Sequence, residues 1–235
     1  MKKLLLVAAM LLVAGSAFAG GINFTVVACP GGAGATGDAG TLDCAGGQIV
    51  AMLATWQPAE PISDLVGIDA ILDVTVNGDV TTAATFWDLA VTNAPGTDHR
   101  RPATLCTLYN NVWNVAGAGS AALGIIRGPG SVRLAAQCQR PTLFSAALNQ
   151  KLFGFQMSID ASTSTEAGGV NSGCSTAAAV ALEQIIPGSA NNNATTTLTS
   201  PDPTTGGGTV VIFNGASLPT SSSRHSWGQL KSLYR

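Results

Sequence analysis

The chain predicts an all-β fold, an antiparallel β-sandwich of immunoglobulin-like or jelly-roll-like type, followed by a short C-terminal amphipathic helix. Three observations carry that expectation. Apolar and polar residues alternate with period two in many short runs. Gly, Pro and Asn punctuate those runs, with 28 Gly and 11 Pro among 235 residues. Helix-period segments of normal length are absent from the body, which argues against α/β nucleotide-binding folds. A chain of this size can bury a real core as one all-β domain.

The first nineteen residues stand apart. Lys2 and Lys3 precede an apolar run from Leu4 to Val13, and Ala17-Phe18-Ala19 forms a small-residue cleavage signal before Gly20. This reads as a secretory signal peptide, the apolar run being too short for a good membrane span. The expected organisation is therefore a signal peptide at 1–19, a β-sandwich at 20–218, and a spacer with a basic amphipathic tail at 219–235.

Within the body, "INFTVVA" and "GQIVAMLATW" are the first expected strands. The clearest alternation is "VGIDAILDVTVNG", which places Val66, Ile68, Ala70, Leu72, Val74 and Val76 on one face and Asp69, Ile71, Asp73, Thr75 and Asn77 on the other. "TFWDLAVT" and "TLYNNVWNV" follow as strand candidates. "AALGIIR" and "SVRLAA" flank Gly128-Pro129-Gly130 as a hairpin, and "TLFSAALNQ" reads as a short helix. "KLFGFQMSID" buries Phe153, Phe155, Met157 and Ile159 and turns Gly154, Gln156, Ser158 and Asp160 outward. "AAVALEQII", "TTTLT" and "TVVIFNG" complete the set, with residues 187–208 expected to form a long loop or linker of low complexity.

Charge narrows the function. Without the leader, 9 basic residues face 13 acidic ones, a net charge of −4, and residues 20–223 alone carry −7. Such a body offers no electrostatic footprint for nucleic acid. Charged residues make up only 10% of the chain, so Ser, Thr, Asn, Gln and Gly must cover much of the surface, as in many extracellular β-proteins.

Five cysteines in an exported chain read as a disulfide framework with one thiol left over. Cys29 and Cys44 bracket a Gly-rich loop between two expected neighbouring strands and form the first expected pair, a closure of about 3 kcal/mol in the chain-entropy model. Cys106 with Cys138 is the second, leaving Cys174 free or paired between molecules. Spacing alone does not determine this connectivity.

The remaining motifs support little chemistry. Gly32, Gly34 and Gly37 match G-x-G-x-x-G, but no helix follows to hold a pyrophosphate. Asp69 and Asp73 share a strand face and suggest calcium, yet residues four apart on a strand lie roughly 13 Å apart, too far for one ion to bridge. His99, in "TDHRRP", and His225 have no partners at metal-ligand spacing. No nucleophile, acid and base set can be named, so neither an enzyme nor a cofactor is expected. Trp56, Trp87 and Trp113 are candidates for a sugar-stacking platform, although each also fits core packing. The sequons at Asn23 and Asn193 carry no assigned role.

The last residues, "HSWGQLKSLYR", differ from everything before them. Ser226 and Gln229 suit a capping box, and Trp227, Leu230, Leu233 and Tyr234 form one apolar stripe among basic residues. A helix this short is marginal alone and would form against a partner. Trp227, Gly228, Leu230, Lys231, Tyr234 and Arg235 resemble the W-G-x-[IL]-K-x-x-[YF]-R endings of exported proteins from Gram-negative-type bacteria. The body, with Cys29, Cys44, "GIDAILDV", "FWDL" and "GCSTAAAVALEQI", is similar to secreted β-sandwich members of that group. The resemblance implies a sorting or attachment tail, read by sorting machinery or a surface receptor. It favours a secreted or cell-surface structural or adhesive protein, with a carbohydrate-binding module or a fimbrial-type subunit as alternatives.

Overall fold

The computed structural model describes residues 20–30, 38–90, 95–100, 104–165, 171–191, 195–202 and 208–215. The expected signal peptide at 1–19, the Gly32–Gly37 motif, Asn193 and the whole C-terminal tail lie outside the described residues. Among the described residues, ten strands form two sheets. β1 (Gly21–Val26), β3 (Ile49–Gln57), β8 (Leu152–Asp160) and β5 (Gly96–Asp98) make a four-stranded sheet in the order β1-β3-β8-β5. β2 (Asp38–Gly40), β10 (Val210–Phe213), β9 (Ala178–Ser189), β4 (Ile62–Val76), β7 (Ser131–Ala146) and β6 (Gly119–Gly128) make the other, in the order β2-β10-β9-β4-β7-β6. Every pairing is antiparallel except β10 with β2. The two sheets pack face to face as an all-β sandwich.

Period-two alternation builds the core between the sheets. On β4, Ile68, Ala70, Leu72, Val74 and Val76 are all buried, facing Val132, Leu134, Ala136 and Cys138 of β7 through matched register. Val66 departs from the expected pattern. The pairing of β4 shifts between Leu65 and Gly67 on both flanks, so Leu65 is fully buried and Val66 only half-buried. A bulge inserts one residue and exchanges the faces on its far side. Gly67 is required there, because a Cβ would stand 2.9 Å from the Cys138 carbonyl oxygen.

A second shift, between Ala54 and Thr55, alters β8. Phe155, Met157 and Ile159 are buried as expected. Gly154 faces the opposite sheet rather than solvent, since its Cβ position lies 3.4 Å from Ile68 Cδ1.

Three expected elements are replaced. "TLFSAALNQ" is not a helix. β7 runs on to Ala146 because Phe144 and Ala146 pair with Leu65 and Ile62. "TFWDLAVT" contains a 3-10 turn at Thr85–Trp87 instead of a strand, stacked on a turn in which Ala83 and Ala84 donate to the Asp79 carbonyl. "TLYNNVWNV" is a series of turns with a single bridge from Asn110 to Leu152, yet it brings Tyr109, Val112 and Trp113 into the core. In all three, local propensity yields to pairing or packing with distant residues.

Parts of the expected linker are ordered against the sandwich. Leu198 exchanges two backbone hydrogen bonds with Ile185 and is buried. On the outer flank of β1, Ile22 donates to the Ser200 carbonyl and Phe24 to the Gly208 carbonyl, while Asp202 donates back to Ile22. That flank is therefore paired by the chain's own backbone, which removes one exposed sheet edge.

Candidate functional site

The disulfide framework differs from the expected pairing. Cys29 bonds Cys106, and Cys44 bonds Cys174. The two expected strands, β1 and β3, are neighbours as assumed, but the loop between them carries an extra strand, β2, into the other sheet beside β10, and Cys44, four residues after β2, bonds Cys174 rather than Cys29. Cys138, expected to pair with Cys106, is instead free. It sits on the inner face of β7, wholly buried, with its Sγ donating to the Gly154 carbonyl at 3.4 Å. Burial pushes the Cys138 thiol up to about 12. Cys174, expected to be left over, is bonded.

The two real bridges interleave, spanning 77 and 130 residues. Each, taken alone, closes a loop stabilising the fold by about 4 to 5 kcal/mol in the chain-entropy model. Asn214 completes the second. Its carboxamide donates to the carbonyls of Cys174 and Thr176 and accepts from the Leu42 amide, tying both cysteine-bearing segments to the end of β10.

The tryptophans do not form a platform. Trp56, Trp87 and Trp113 are each 0% exposed. Trp87 lies 5.2 Å, centroid to centroid, from both Phe86 and Phe213. Trp113 Nε1 donates to the Phe153 carbonyl at 2.9 Å. Core packing is the role the structure assigns to all three.

The carboxylates expected on the outer face of β4 are there, but each has a cross-strand partner. The Arg133 guanidinium contacts both oxygens of Asp73, and Gln137 Nε2 donates to Asp69 Oδ1 at 2.9 Å. The Asp73 carboxylate, through its hydrogen bonds, holds the Arg133 guanidinium above its ordinary range. Half-buried His99 lies between Asp98 and Arg100, whose guanidinium grips Asp98 through both oxygens and holds that carboxyl below the usual range. Asn23 of the first sequon is fully buried. Asp88, which the sequence did not single out, is also fully buried and ion-paired with Arg127 of β6.

The bulge in β4 lies in a depression with convergent polar groups. It has a volume of about 300 Å³ and is lined by Val66, Gly67, Ile68, Asp69, Cys138, Gln139, Arg140 and Gly188. Arg140 comes from β7, and its Nη atoms donate to the Val112 carbonyl at 2.6 Å and to Thr142 Oγ1 at 3.0 Å. Its guanidinium carbon lies 5.1 Å from the centroid of the Phe144 ring, and desolvation lowers its pKa from the usual arginine value. Sequence reasoning missed this site. The signal was present as glycines on two strands, but their adjacency is a matter of register.

The expected sorting or attachment residues Trp227, Gly228, Leu230, Lys231, Tyr234 and Arg235 lie outside the described residues. Comparison with protein-family models, curated proteins and solved structures finds no match.

Proposed function

We propose that this chain is an exported, non-catalytic structural or adhesive protein of the cell surface, held or delivered there by its C-terminal residues. The observation that supports it best is the interleaved disulfide frame. Bonds between Cys29 and Cys106 and between Cys44 and Cys174 form and persist in oxidising compartments. They agree with the N-terminal leader and make the body a stiff module suited to a load-bearing or displayed role. The tail supplies the address: Trp227 and Leu230 would enter an apolar groove on sorting machinery or a surface receptor, with Lys231 and Arg235 paired to acidic groups at its rim.

Deleting residues 224–235 in the native cell tests this. The shortened protein should keep the melting temperature of the full chain and move from the surface to the medium. Trp227→Ala should reproduce the deletion, and Lys231→Ala should do so only in part. A lowered melting temperature with unchanged distribution would make the tail part of the fold and end the sorting proposal.

A further inference from the structure

The depression beside the β4 bulge has space that the fold does not need. Gly67 and Gly188 are register partners on β4 and β9. Gly67 is demanded by close backbone approach, but Gly188 is not: a Cβ there would meet nothing nearer than 3.5 Å, in ordinary contact with the Gly67 backbone. Its backbone is also outside the left-handed region. The missing side chain at 188 therefore leaves open room directly over Gly67, where an alanine Cβ would make ordinary contact.

The rim is equally specific. Asp69 and Arg140 have opposite charges, which disfavours an ion of either single sign. Both are also partly used. Gln137 occupies Asp69 Oδ1, leaving the other carboxylate oxygen to accept. Val112 and Thr142 occupy the two Arg140 Nη atoms, and the buried Nε has no hydrogen-bond partner among the described residues. Each Nη keeps one further N–H hydrogen to give, and exposed Gln139 adds one amide.

We propose that this depression binds a neutral polyol, a single hexopyranose ring of a glycan. One hydroxyl would donate to Asp69, its neighbours would accept from the remaining Nη hydrogens of Arg140 and exchange hydrogen bonds with Gln139, and the C–H face of the ring would lie on the Gly67–Gly188 backbone against Val66. A volume of about 300 Å³ is at the lower end for small-ligand sites and suits one ring. The proposal does not depend on the tail or on where the protein is delivered.

The test is a titration of the isotopically labelled, disulfide-intact mature chain, followed by amide NMR shifts. The probes are methyl glycosides of glucose, galactose, mannose and N-acetylglucosamine up to about 20 mM, enough to detect millimolar affinity. At least one glycoside should shift amides of residues 66–69, 139–140 and 188. Gly188→Val should abolish those shifts while the spectrum stays dispersed, and Asp69→Asn should weaken binding several-fold. Gly188→Ala, a smaller filling, serves if the valine variant does not fold. Absence of shifts with all four glycosides, shifts that survive filling at 188, or a response to free alanine with none to the glycosides would each overturn the proposal.

Discussion

Asn214 and Cys174 are joined through a 2.8 Å hydrogen bond from the asparagine Nδ2 to the cysteine carbonyl, at the point where β10 ends. Asn214 sits in the left-handed region with φ of 58°, and its amide donates to the Gly40 carbonyl. With its further bonds to Thr176 and Leu42, one side chain links the two loops that the Cys44–Cys174 disulfide also joins. Asn214→Gly keeps the backbone conformation but strands these partners, and should cost about 1 to 3 kcal/mol. Asn214→Ala should cost roughly 1 kcal/mol more, because a Cβ without a compensating side-chain bond is disfavoured at positive φ. Urea denaturation midpoints under oxidising conditions check both values, and three coincident curves would refute the role.

The cystine map is directly measurable. Nonreducing proteolysis should release Cys29 linked to Cys106 and Cys44 linked to Cys174, with Cys138 as the lone thiol. A Cys29–Cys44 peptide would contradict both bridges.

Cys138 should be chemically silent in the folded protein. Thiolate is the reactive form, and burial raises this thiol to about 12, so little thiolate exists between pH 7 and 9. Iodoacetamide at pH 8 should leave the native chain unmodified and label one site after unfolding without reductant. Rapid native labelling would place the side chain elsewhere.

Each buried tryptophan should behave as core. Trp56→Ala and Trp87→Ala should cost about 3 to 5 kcal/mol through lost burial and the cavity left behind. Trp113→Phe retains most of the volume but loses the bond to the Phe153 carbonyl, and should cost about 1 kcal/mol beyond its packing change. Thermal melts of the purified variants distinguish these effects, and unchanged melting would return the residues to the surface.

Asp64 should contribute to acid sensitivity. Ser189 Oγ at 2.6 Å, with the Asn191 amide and Nδ2 at 3.1 and 2.7 Å, donates to the Asp64 carboxylate and lowers its pKa from 3.8. A carboxyl depressed on folding gives stability that is present above its unfolded value and lost as pH falls through the folded one. Denaturation midpoints should therefore fall less between pH 6 and pH 2 (both about a unit or more from 3.8) for Asp64→Asn than for the parent chain. An equal fall in the two proteins would remove Asp64 from the account.

Much of the fold was legible because a strand with one buried face writes its orientation into alternate residues. "DAILDVTV" and "FQMSI" show it, and β4 and β8 bury the residues those patterns nominate. The hairpin at Gly128-Pro129-Gly130 was legible for the same local reason, since turn chemistry lies within a few residues. Register shifts carry no such local mark, which is why Val66 and Gly154 face differently from their expected sides. The Trp and Cys roles were also decided only in three dimensions. A tryptophan beside apolar residues has the same sequence whether it stacks on a sugar or fills a core, and a disulfide depends on which sheet receives each strand. The depression at Gly67 and Gly188 belongs to that second class: residues 121 positions apart become neighbours only because β4 pairs with β9. By itself the sequence determined the all-β class, its alternating faces and its oxidisable framework, because these follow from nearest-neighbour chemistry along the chain. Connectivity, burial of the aromatics and the candidate site were decided by tertiary structure, because each depends on pairing between segments whose separation in sequence places no constraint on their distance in space.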